Sequence, residues 1–178
     1  MIHLQCTTRL LKRLHMTPAP WQGEGSSRLG DWLANVLMVG HKPHAIFVNE
    51  ESLLTLVLPL KETGTLVDRW RAEVVDLVRR LGAAENVVQA KARAIEEVVV
   101  TRTADRSSVG CLNEVARHCR ILYEDRGELR PEHVWQLMEN LSMSAIRYEQ
   151  PAHVARLLLG APIPERRWRP GDPYPART

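Results

Sequence analysis

The chain has little aromatic side chain, little cysteine and no long apolar run. One phenylalanine, three tyrosines and five tryptophans make up 5% of its 178 residues. The cysteines are three, Cys6, Cys111 and Cys119. An odd, sparse set excludes a disulfide framework and points to a reducing compartment, the cytoplasm. Cys111 and Cys119 fall on one expected helix, about 12 Å apart along its axis, too far to bridge. No stretch approaches the roughly 18–20 apolar residues of a membrane span, and no secretory segment is expected. Ten glycines and eleven prolines are too few for a collagen-like or low-complexity chain. Also missing are the spacings of a Walker loop, of G-x-S-x-G, of H-E-x-x-H and of C-x-x-C. No motif names a reaction.

Hydrophobic residues make up 44%, and 24 Lys and Arg stand against 21 Asp and Glu, for a net charge of +3. That balance excludes a disordered protein and predicts one soluble domain, long enough to bury about two-thirds of its unfolded surface. The charge is uneven. Residues 1–30 carry Arg9, Lys12, Arg13 and Arg28 against Glu24, and residues 161–178 carry four arginines against Glu165 and Asp172. The stretch between sums to −2. The pI near 9.0 therefore belongs to the ends, and any protein or nucleic-acid partner is expected to meet the basic termini.

Along the chain, Ile2, Leu4 and Cys6 alternate with His3 and Gln5, a strand pattern. Thr7 or Thr8 caps a helix with Leu10, Leu11 and Leu14 on its apolar side. Trp32–Val39, Ala45–Asn49 and Leu53–Leu60 read as three strands of a meander, the first two joined by a hairpin at residues 40–44. Thr65–Leu81 is the clearest helix: Val67, Trp70, Val74, Leu77, Val78 and Leu81 recur at steps of three and four, and Gly82 ends it. Arg69–Glu73 and Asp76–Arg80 are expected pairs on its outer face. Residues 83–94 read as helical. Glu97–Thr103 is a β-branched strand, and helices follow from about Ser107, from Pro131 and from Pro151. The order predicts an α+β fold, a small mainly antiparallel sheet packed against several helices. It forms a single domain over 1–160 with a Pro/Arg-rich tail over 161–178.

Chemistry concentrates at Thr101–Gly110, where a strand gives way to a helix. The first turn of a helix presents unpaired N–H groups and the positive end of its dipole. Arg102, Arg106, Ser107 and Ser108 beside it are the anion-binding candidates. The alternative is local: Asp105 or Ser107 caps the helix and Asp105 pairs with an arginine. Seven histidines are scattered, His41 and His44 in the hairpin, without metal-ligand spacing, so no metal and no cofactor is expected. Trp32, Trp70 and Trp135 fall in apolar patterns, whereas Trp21 and Trp168 lie in loop and tail. Catalytic residues stay unassigned.

Three blocks carry a resemblance. Residues 2–12 (IHLQCTTRLLK) resemble an IHLxCTxKLL-type start, residues 29–37 (LGDWLANVL) an LGDWYANLL segment, and residues 101–114 a KTxNRSVLGSMNE pattern. Together they are similar to an uncharacterised bacterial family, a domain of unknown function also met in mobile DNA. Arg102 stands where a lysine is usual, and Asp105, where an asparagine is expected, adds a negative charge beside the anion candidates. The resemblance implies that Asp31, Asn35 and Asn113, polar residues in apolar elements, belong to a hydrogen-bond network. The expected function is a non-enzymatic binding or interaction protein with an anion-ready helix start. The alternative is a small enzyme acting on a phosphorylated or nucleotide substrate.

Overall fold

The computed structural model describes residues 2–20, 29–103, 106–143, 146 and 148–164, the side chains of 106–108 excepted. Trp21, Asp105, Trp168 and residues 165–178 of the expected tail lie outside the described residues.

The order is β1 (Ile2–Cys6), α1 (Thr8–Leu14), β2 (Trp32–Val39), β3 (Lys42–Asn49) and β4 (Thr55–Pro59). A 3₁₀ turn (Thr63–Thr65) follows, then α2 (Leu66–Arg80), α3 (Glu85–Glu96), β5 (Val98–Arg102), α4 (Arg106–Arg126), α5 (Pro131–Asn140) and α6 (Pro151–Leu159). The fold is a single α+β domain around one five-stranded sheet, ordered β4-β3-β2-β1-β5. The meander β2–β3–β4 is antiparallel. β1, at its side, runs parallel to both β2 and β5, so the sheet is mixed where a mainly antiparallel one was expected. The reason is connectivity: α1 carries the chain back to start β2, and α2 with α3 carries it back to start β5.

Both faces of the sheet are packed. On one face Ile2, Leu4, Cys6, Trp32, Ala34 and Phe47 join buried residues from α1, α2, α3, α5 and α6. Trp70 of α2 sits at its centre, edge-on to Trp32 and stacked on Phe47, each at 5.9 Å between ring centroids. On the other face Leu33, Leu37, Ile46 and Val48 meet Leu112, Val115, Ala116 and Cys119 of α4. The far end of α4 presses on the β2–β3 turn. Gly40 there has φ +57°, and a Cβ at that position would stand 2.5 Å from the Tyr123 hydroxyl.

The buried stripe of α2 is the expected one, Trp70, Val74, Leu77 and Val78, extended by Leu66. Its outer pairs differ. Asp68–Arg71 and Asp76–Arg79 form at i,i+3, and Arg69 donates instead to the carbonyls of Pro59 and Lys61, tying the helix to the end of β4. Trp135 of α5 is half-buried with the Arg80 guanidinium 4.3 Å above its ring, a cation–π contact.

Candidate functional site

The β1–α1 junction begins with Thr7. Its hydroxyl accepts from the Leu10 N–H and donates to Asn35 Oδ1 at 2.7 Å, which joins the start of α1 to the middle of β2. Leu10 and Leu11 turn into the core. Thr8, Leu11, Lys12 and His15 recur at steps of three and four, which puts them on one side of the helix. That side lines a groove of about 410 Å³. His15 ends α1 in a left-handed conformation, φ 52°, and the chain turns so that Met16, Thr17 and Pro18 form a second wall. The Ala19 N–H donates to the Val100 carbonyl at 2.9 Å, pinning this return to the outer edge of β5. Arg102, at the end of β5, closes the groove. No carboxylate among the described residues lines it. Its walls carry the cations Lys12 and Arg102, so its field is positive.

Of the anion candidates, Arg102 is on this groove. Arg106, Ser107 and Ser108 form the first turn of α4, four residues on, and their side chains lie outside the described residues. Thr103 fixes the strand end that presents Arg102: its N–H donates to Cys6 O at 3.1 Å and its hydroxyl to Gln5 O at 2.9 Å. Asp31, Asn35 and Asn113 have separate surroundings. Asp31 is buried and accepts from the His3 N–H at 2.8 Å, with His3 Nδ1 3.1 Å from its other oxygen. Asn35 Oδ1 accepts from Thr7 and from the Val36 N–H. Asn113 is exposed on α4. The three blocks of residues 2–12, 29–37 and 101–114 still lie together, because β1 is flanked by β2 and β5.

Sequence reasoning missed a buried polar cluster around Asp31. Lys91 Nζ donates to the Leu29 carbonyl at 2.8 Å. Asn49 Nδ2 donates to the carbonyls of Leu29 and Asp31 at 3.2 and 3.1 Å. Leu29 itself has φ 55°. Gly30 lies close to Glu51, whose carboxylate would stand 2.7 Å from a Cβ there. Burial pushes the Lys91 ammonium down from 10.5 to about 8, against the pull of Asp31 and Glu51. The signal that could have found Lys91 is its place on an apolar stripe, between Val88 and Ile95 at steps of three and four. All these hydrogen bonds converge on Leu29–Asp31, the segment that enters β2.

The His3–Asp31 pair and the groove lie on different faces of the sheet, whereas Lys91 reaches Leu29 from α3, which packs on the groove's face. His3 alternates with Ile2 and Leu4 and so faces the α4 side, whereas Arg102 is in register with Cys6 on the opposite side. Burial pushes the thiols of Cys6 and Cys119 up from 9.0 to about 12, which leaves them protonated and unreactive as nucleophiles. Among the described residues no three His, Cys, Asp or Glu side chains gather as a metal site, and no helix is long and apolar enough to cross a membrane.

No curated protein and no solved structure matches the chain. A family model described as Domain of unknown function (DUF6933) matches residues 3–154. That span takes in β2 to β5, β1 from His3 on, and the groove, and the chain belongs to this family.

Proposed function

We propose that this protein is a bacterial, non-enzymatic binding module that takes a phosphate group of its partner in the groove between α1 and the end of β5. One observation carries the reading. Lys12 and His15 from the first turns of the chain, and Arg102 from ninety positions later, line one groove with no carboxylate among its described walls. The helix dipole accounts for Lys12 and Arg13 in the last turn of α1. It does not account for Arg102, which arrives on a different element. Thr8 and Thr17 on the same walls supply neutral hydroxyl donors for phosphate oxygens. The enzyme alternative asks for acid–base work beside the phosphate; the His3–Asp31 pair is nearly fully buried and faces the other way, and His15 on the groove has no carboxylate beside it among the described walls. With no disulfide among Cys6, Cys111 and Cys119, the reading puts the protein in the reducing cytoplasm.

An amide-resolved NMR titration of the protein with inorganic phosphate tests this. The expected result is a set of shifts confined to Thr8, residues 12–17 and Arg102. Shifts scattered over the surface, or none, would contradict it.

A further inference from the structure

We infer that the groove's ligand is a nucleoside monophosphate, with its base in the cavity next door. The inference rests on the reading of the groove as a phosphate site. The neighbouring cavity holds about 370 Å³ and meets the groove at Met16, which lines both. Leu14, Val67, Val98 and Val100 give it aliphatic walls. Thr63 and Asp68 stand at its edge, the Asp68 carboxylate held by Arg71 at 2.9 Å.

Charge, span and polarity favour a nucleoside monophosphate. Lys12 and Arg102 match the nearly two negative charges of a phosphomonoester at neutral pH. Val98, Val100 and Arg102 project from one face of β5, because side chains alternate along a strand, and the three span roughly 13 Å. A ligand laid along that strand meets a cation at one end and aliphatic surface at the other, as an extended nucleoside monophosphate requires. The aliphatic walls can sandwich a flat heterocycle, and the Thr63 hydroxyl and Asp68 carboxylate can pair with its ring edge. An alkyl chain in the same place would make no use of those groups.

Calorimetric titration of the whole protein with inorganic phosphate, ribose 5-phosphate, the four common nucleoside monophosphates and dodecyl phosphate tests the inference. At least one nucleoside monophosphate is expected to bind about tenfold or more tighter than inorganic phosphate. Gly64, in the 3₁₀ turn that lines the second cavity, has open space where a Cβ would go. Gly64→Leu should fill that cavity and bring the ratio of nucleotide to phosphate affinity close to one. Equal affinity for phosphate and nucleotides in the wild-type protein would overturn the inference and leave the phosphate reading standing. Dodecyl phosphate binding tighter than every nucleotide would replace the base with an alkyl chain and also overturn it. If neither phosphate nor any nucleotide binds, the phosphate reading itself fails.

Discussion

The cluster around Asp31 and the groove beside Arg102 contain the same kinds of side chain in opposite circumstances. In the cluster, His3, Asp31 and Lys91 are buried, and the hydrogen bonds of the cluster close on the chain's own carboxylate and carbonyls. In the groove, Lys12, His15 and Arg102 are exposed on walls without a carboxylate among the described residues. A charge taken out of water needs partners within the protein, and once paired it holds structure. A charge left in water costs little and stays available to a ligand. On that ground the cluster is a latch on Leu29–Asp31, and the groove is a place to bind.

The largest effect is expected from Asp31→Ala. It removes a partner of buried His3 and the negative charge that acts most on buried Lys91, and should cost about 3–5 kcal/mol of stability by urea denaturation. A loss below about 1 kcal/mol would show that the cluster does not hold the fold.

A pH series sharpens the same side. Folded Lys91 titrates near 8 rather than 10.5. Between those values the unfolded chain carries a proton that the folded chain has released. Stability therefore rises with pH there, by up to about 1.4 kcal/mol per unit. Cys6 and Cys119 act in the other direction, since their folded thiols keep protons up to about 12 against an ordinary 9.0. Above pH 9 the unfolded chain loses those protons and stability falls. Together these three groups predict a rise between about pH 8 and 9 and a decline beyond. Lys91→Met should flatten the rise, read from denaturation midpoints at each pH.

The smallest effect is expected on the other side of the comparison. Arg102→Gln and Lys12→Gln should each change stability by less than about 1 kcal/mol, because both are exposed, the described groove walls hold no carboxylate, and Lys12 gains only the end of the α1 dipole. A thermal melt showing a loss of several degrees would mean that the groove residues hold structure after all.

The sequence showed some of this and not the rest, for physical reasons. The stripe of α2 and the β-branched run of β5 were legible because local periodicity follows from one-sided burial. Arg102 was legible as a candidate because it sits at a strand-to-helix junction, a local feature. Lys12 and His15 were not, because they meet Arg102 only when β1 pairs parallel with β5, and an alternating pattern does not encode strand direction. The same applies to Lys91. Its stripe position was readable, but its target, the Leu29 carbonyl, is 62 residues away. Asp31 and Asn35 lie four residues apart on one block, yet the first bonds His3 and the second Thr7. Which partner each takes depends on tertiary register alone.

Lys12 and Arg102 are proposed to form a phosphate site that adds little to the fold. Its most direct test is the affinity for inorganic phosphate at low ionic strength, measured on the wild-type protein and on a Lys12→Gln, Arg102→Gln double variant. Wild-type binding is expected and should weaken as salt is added. Binding by the double variant should be at least about tenfold weaker, with a melting temperature within a few degrees of the wild type's. Equal affinities in the two proteins, or no binding by the wild type, would contradict it.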